Sequence, residues 1–192
     1  MNYVYLHGFN SAYDPNSGKV QALSSLGNVR GVTYNSFGTY EEIVEEISAQ
    51  VDLSDDLVFV GTSLGGFWAA EMGSCFGVPS VIINPCTDPA NMLQKYVGLA
   101  STNYINGDVN TLNSKSANSY PSSGISRAGH YLPLVLLDMG DEVIDSFQTR
   151  KDLEAFPMAC WEGGSHRFEH NNEALDNIQN YVNHCSYVDV LD

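Results

Sequence analysis

Gly61-Thr62-Ser63-Leu64-Gly65 follows the apolar run Leu57–Val60 and precedes a segment of helical character. A G-x-S-x-G pattern between a strand and a helix sets a serine on a very tight turn. The residues two positions to either side must then lack side chains, which would collide there. The hydroxyl stands above the sheet beside a helix N-terminus, whose unpaired N–H groups can bind an oxyanion. The chemistry expected of Ser63 is nucleophilic attack on an acyl carbon. Five residues are a short pattern for a chain with 17 glycines, so the rest of the sequence has to complete the chemistry.

A neutral serine hydroxyl attacks poorly without an adjacent base. His166 is the candidate base, in Gly163-Gly164-Ser165-His166 just after the last apolar run, on a flexible turn able to reach across the strand ends. An acid must fix the imidazole tautomer and stabilise the imidazolium. Asp141, in Met139-Gly140-Asp141-Glu142-Val143, is the candidate, with Asp138 and Asp145 as competitors. The order Ser63, Asp141, His166 matches the serine–acid–histidine order of α/β-hydrolases. The oxyanion hole needs two main-chain donors. Leu64 N–H is one; the second is expected in His7-Gly8-Phe9-Asn10-Ser11, from Phe9 first and Asn10 second. His7 is expected to hold that loop.

Other prominent side chains carry less. His170 lies four residues after His166, a helical metal-pair spacing, but no acidic or cysteine partners accompany it in a motif. His130 and His184 read as surface residues and Trp68 as core. Trp161 reads as packing, with pocket lining as the alternative.

These groups require a scaffold. Asn2–Leu6, Val29–Tyr34, Leu57–Val60, Val81–Ile83, Leu134–Leu137 and Pro157–Trp161 read as six strands. Helices are expected around Val20–Leu26, after Thr39 with Glu42 completing a capping box, over Phe67–Phe76, near Ser146–Ala155, and over about Asn172–Asn183. Strands apolar throughout that alternate with helices imply a mostly parallel, doubly wound sheet covered on both faces. The chemical residues follow strands three, five and six, at the carboxyl ends where such sheets build their sites. Residues 88–132 break the rhythm. Asp88–Gly98 reads as helical and Ser101–Gly129 as irregular, together a small lid-like insertion in a single 1–192 domain.

Composition sets the outer bounds. The chain has 192 residues, 43% of them apolar, enough for a folded core. Its 8 basic and 23 acidic residues give a net charge of −15. That balance argues against nucleic acid and anionic membrane surfaces as partners. Cys75, Cys86, Cys160 and Cys185 form no C-x-x-C pair, so neither a zinc site nor a redox motif is expected. The start MNYVYLHGF lacks the marks of a signal peptide, and no apolar run is long enough to span a membrane. A cytoplasmic protein with free thiols is expected.

Tyr5-Leu6-His7-Gly8-Phe9-Asn10-Ser11, Gly61-Thr62-Ser63-Leu64-Gly65-Gly66-Phe67, Asn84-Pro85, Gly140-Asp141-Glu142 and Gly163-Gly164-Ser165-His166-Arg167-Phe168 occur in this order along the chain. Together they resemble the small bacterial YqiA/YcfP-type esterases of the α/β-hydrolase superfamily. The resemblance implies hydrolysis of carboxylic esters, with Ser63, Asp141 and His166 as the triad. The residues themselves imply a serine hydrolase acting on an ester or thioester through an acyl-enzyme, with no metal or organic cofactor. The alternative is a hydrolase fold serving as a binding or regulatory module. The resemblance does not extend to 100–130, where substrate-defining residues are expected.

Overall fold

Residues 1–52, 56–103 and 105–189 are described by a computed structural model of the chain. In chain order its elements are β1 (Asn2–Leu6), α1 (Gly18–Leu23), β2 (Asn28–Gly31), α2 (Tyr40–Ser48), β3 (Leu57–Thr62), α3 (Leu64–Phe76), β4 (Ser80–Ile83) and α4 (Pro89–Gln94). They continue with β5 (Ala100–Thr102), β6 (Val109–Thr111), α5 (Ser114–Asn118), β7 (Leu134–Asp138), α6 (Ser146–Asp152), β8 (Met158–Trp161) and α7 (Leu175–Asp189).

Six strands form one parallel sheet in the order β2-β1-β3-β4-β7-β8. Its central strands are buried on both faces, which is why they read as continuous apolar runs. Alternate residues feed two cores. Val4, Leu6 and Phe59 join Ile43 and Ile47 of α2 and Phe67 and Trp68 of α3 on one face. Tyr3, Tyr5, Val58 and Val60 join Val20 and Leu23 of α1 and Ile178 and Val182 of α7 on the other. The α2 capping box forms as its sequence suggests: Thr39 Oγ1 accepts from Glu42 N at 3.3 Å, and Glu42 Oε2 accepts from Thr39 N at 2.8 Å.

Two local expectations change. The second strand ends at Gly31, short of Tyr34. As an edge strand it leaves the sheet early, and its last expected residue is used differently: the Tyr34 hydroxyl donates to the His7 carbonyl. The stretch expected to be irregular contains the antiparallel pair β5–β6, paired from Ala100↔Thr111 to Thr102↔Val109, and then α5. Its periodicity was hidden because two three-residue strands rich in Ser, Thr and Asn carry no apolar alternation. Part of this excursion belongs to the main core. Tyr120 is buried, with ring centroids 5.4 Å from Trp68 and 5.8 Å from Phe67.

Candidate functional site

Leu6 pairs with Gly61, and Thr62 pairs with Ile83. The carboxyl ends of β1, β3 and β4 therefore lie side by side. Ser63 occupies the break between β3 and α3 with φ 59° and ψ −124°, a conformation that non-glycine residues rarely adopt. Its surroundings enforce it. The Ser63 N–H donates to Ile83 O at 3.0 Å, and its carbonyl accepts from Gly66 N at 2.9 Å and Cys86 N at 3.0 Å. A Cβ at Gly61 would lie 1.9 Å from Gly65 O, and one at Gly65 would lie 2.1 Å from Leu6 O. Both glycines are required for α3 to start so close to β1. Ser63 is half-buried, and its Oγ makes no hydrogen bond to any described residue.

His166 Nδ1 lies 2.8 Å from Asp141 Oδ2, with the Asp141 side chain only 1% exposed. A carboxylate only accepts, so Nδ1 carries the proton and Nε2 of the neutral ring keeps its lone pair. The other oxygen, Asp141 Oδ1, accepts from Val143 N at 2.8 Å and Ile144 N at 2.9 Å. Asp141 is thus also the turn residue its Gly-Asp-Glu context suggests.

The two competing acids are engaged elsewhere. Asp145 caps α6 through Gln148 N at 3.0 Å. Asp138, fully buried at the end of β7, accepts from His170 Nδ1 at 2.7 Å, Glu169 N at 2.7 Å and Ser165 N at 3.2 Å. This accounts for His170: it is a tie to Asp138, and its ring stacks on Trp161 with centroids 5.8 Å apart. Among the described residues no three His, Cys, Asp or Glu side chains are grouped to hold a metal ion.

The histidine turn is not the flexible segment its glycines suggest. Gly163 and Gly164 have φ of 74° and 70°, and a Cβ at Gly164 would lie 2.0 Å from Asp138 Oδ2. Glycine here permits close packing. Asn84 Nδ2 donates to Ser165 O at 2.9 Å and His166 O at 3.3 Å, while its Oδ1 accepts from Asp138 N at 2.9 Å. Glu142 Oε2 accepts from His166 N at 3.0 Å. That main-chain bond, and then one from its own N–H, hold the Glu142 carboxyl below its usual range, against the upward pull of burial and of Asp141. All four main-chain polar groups of Ser165 and His166 therefore have partners. Asn84 lies in the Asn84-Pro85 pair that the family resemblance includes, but sequence reasoning gave it no role in the site; an Asn at a strand end also tolerates its φ of 40°.

The loop after β1 also meets Ser63. A Cβ at Gly8 would lie 3.5 Å from Ser63 Cβ, so the loop after β1 runs directly against the serine. The Asn10 N–H is occupied by Ser36 Oγ at 3.0 Å. The Phe9 N–H has no acceptor among the described residues, and Leu64, as the first residue of α3, has no intrahelical acceptor for its own. The Phe9 ring is wedged between Phe37 and Tyr96, at 4.7 and 5.1 Å. Asn10 Nδ2 donates to Thr102 O of β5 at 3.0 Å, so the excursion braces this loop. His7 is buried and stacks on Tyr34 at 4.2 Å. Its Nδ1 donates to Gly8 O at 2.9 Å, and burial holds its pKa below the usual imidazole value, against the upward pull of two main-chain hydrogen bonds.

Ser63, His166, His7, Gly8 and Phe9 line one cleft of about 640 Å³, within the ~300–1,000 Å³ range of small-molecule sites. Ile105 from the excursion and Val143 from the loop after β7 also reach it. Trp161 does not line it; it packs edge-on against Phe168, 5.6 Å between centroids. His130 and His184 are exposed and Trp68 is core. All four cysteines are free thiols. Among the described residues no helix is long and apolar enough to cross a membrane.

Known proteins share this architecture. Est1E from Butyrivibrio proteoclasticus superposes with a TM-score of 0.68 at 14% identity, over 100% of this chain and 88% of that one. A Paleococcus ferrophilus monoacylglycerol lipase gives 0.67 at 17%, over 94% and 93%. At such identities the likeness establishes the α/β-hydrolase fold. By sequence, a UPF0227 protein of Vibrio parahaemolyticus is 26% identical over 187 residues, 94% of this chain and 98% of its own. One from Shewanella woodyi is 28% identical over 184 residues, 92% and 96%. Residues 2–183 match the family described as Uncharacterised protein family (UPF0227). The family likeness drawn from the motifs therefore holds, and the chain belongs to UPF0227, a family carried here on an α/β-hydrolase fold.

Proposed function

We propose that the protein is a serine hydrolase that cleaves small carboxylic esters or thioesters. The observation that carries the reading is the meeting in one cleft of a serine on a strained main chain, its hydroxyl without a hydrogen bond to any described residue, and an imidazole whose Nδ1 is bound by a buried carboxylate. Ser63 Oγ attacks the acyl carbon while His166 Nε2 takes its proton. Asp141 holds the tautomer and balances the imidazolium. The Leu64 and Phe9 N–H groups receive the oxyanion. His166 returns the proton to the leaving alcohol or thiol, and a water deprotonated by the same imidazole then releases the acid. Catalytic hydrogen bonds often tighten only once substrate is bound, so an open Ser63 hydroxyl fits this sequence of steps. That Est1E is described with ferulic acid bound, and that another neighbour is a monoacylglycerol lipase, supports an acyl substrate.

Turnover of p-nitrophenyl acetate and butyrate tests the proposal. Ser63→Ala is expected to lower kcat by about a thousandfold or more, the scale on which triad members act. Equal rates in the two proteins would remove Ser63 as nucleophile.

A further inference from the structure

We infer that the cleft contains an anion subsite at Lys19 and Arg167, so that the esters it prefers carry a carboxylate or phosphate group. This deepens the hydrolase reading and rests on it for the reaction, though not for the binding. Lys19 lies in the first turn of α1, and Arg167 directly follows His166; both line the same cleft as Ser63.

Their placement is unusual for this chain. It has 8 basic residues against 23 acidic ones, yet the cleft wall draws two of each: Lys19 and Arg167, Asp14 and Glu142. The two carboxylates already accept main-chain N–H groups, Asp14 from Asn16 at 2.9 Å and Glu142 from His166 at 3.0 Å. The ammonium is less well served. Lys19 Nζ has three donors, and its only acceptor among the described residues is the Arg167 carbonyl. Lys19 also lines a small apolar cavity with Leu23, Val60, Phe168 and Ile178, so it stands between that cavity and the cleft.

The energetics point the same way. Burial, and then the Arg167 charge, push the Lys19 amine down to about 8, with Asp138 pulling it back up. The two cations repel one another, and an anion beside them relieves that repulsion while taking up the spare donors of Lys19 Nζ. Near neutral pH the amine is still mostly protonated and able to bind it. A charge in a cleft selects among substrates by difference: an ester bearing an anion gains contacts that its neutral counterpart lacks.

Two matched pairs of esters test this and distinguish the side on which the anion sits. Mono-p-nitrophenyl glutarate against p-nitrophenyl butyrate tests the acyl side. 1-Acetylglycerol 3-phosphate against monoacetylglycerol, followed by acetate release, tests the alcohol side. At least one anionic ester is expected to exceed its neutral match about tenfold in kcat/KM. Lys19→Met keeps the apolar stem and is expected to cut that ratio fivefold or more, while Lys19→Arg keeps most of it. Calorimetric titration of glutarate and glycerol 3-phosphate into wild type and Lys19→Met reads the subsite without any turnover, with heat of binding expected only in the wild type. Neutral and anionic esters cleaved alike, or a ratio unmoved by Lys19→Met, would overturn the subsite and leave the hydrolase reading standing. Anion binding lost in Lys19→Met, with no ester cleaved at all, would do the reverse. The absence of binding for both anions would reject the subsite outright.

Discussion

At Gly65 a methyl group would meet two carbonyl oxygens, Leu6 O at 2.1 Å and His7 O at 2.5 Å. Leu6 ends β1, inside the sheet, and buried His7 follows it directly, so neither carbonyl can easily retreat. Gly65→Ala is therefore expected to destabilise the protein by about 3 kcal/mol or more, the range of severe core overpacking. Urea unfolding measures it; a midpoint unchanged from wild type would contradict the close approach. His7 makes a second prediction at this scale. Its folded pKa lies below the unfolded value because burial disfavours the imidazolium, so only the unfolded chain gains a proton as the pH drops below about 6.5. Stability is expected to be full above that value and to be lost as pH falls toward the lower folded pKa. His7→Gln should flatten this part of a pH–Tm profile, and an identical slope in both proteins would show that another group is responsible. Ser63 and its glycines were legible in the sequence because a strained turn restricts residue types directly. Lys19 was not, since a lone lysine at a helix start carries no pattern.

The ends of β4 and β7 act as a unit. Asn84 and Asp138 hold the main chain on both sides of His166, with His170 and Glu142 completing the cage. If His166 is the base, this cage sets its aim. Asn84→Ala is expected to lower kcat about tenfold or more while KM moves less than threefold, since small misplacements of a reacting group are expensive in rate. His170→Gln, which can still donate to Asp138, should retain more activity than His170→Ala. A fall in Tm with kcat intact in both Ala variants would make the cage merely structural. The sequence located this loop but misjudged its stiffness. Consecutive glycines suggest freedom, whereas here they allow Asp138 to pack against the backbone, a long-range partnership that no local pattern announces.

Across the whole molecule, the parallel sheet was the most legible feature. Strands buried on both faces must be apolar throughout, and their alternation with helices leaves few topologies. Within the 88–132 excursion α4 falls in the segment expected to be helical, and the rest was the least legible, because its short polar strands and the five-residue α5 are fixed by tertiary contacts. It is bound at several points: Leu93, Leu112, Ala117 and Tyr120 are buried in the main core, and Thr102 O accepts from Asn10 in the loop after β1. Tyr120→Ala is expected to destabilise the fold by about 3–4 kcal/mol, as for other large buried aromatics. A urea midpoint shifted by under ~1 kcal/mol equivalent would mean that the excursion is not anchored there.

The central claim is that Ser63 is an activated nucleophile, and covalent labelling tests it without knowledge of the substrate. A fluorophosphonate probe followed by intact mass and peptide mapping is expected to give one adduct, on Ser63. The adduct should be absent in Ser63→Ala and form at least a hundredfold more slowly in His166→Ala. A folded wild-type protein that stays unlabelled at Ser63, or one labelled at the same rate without His166, would contradict it.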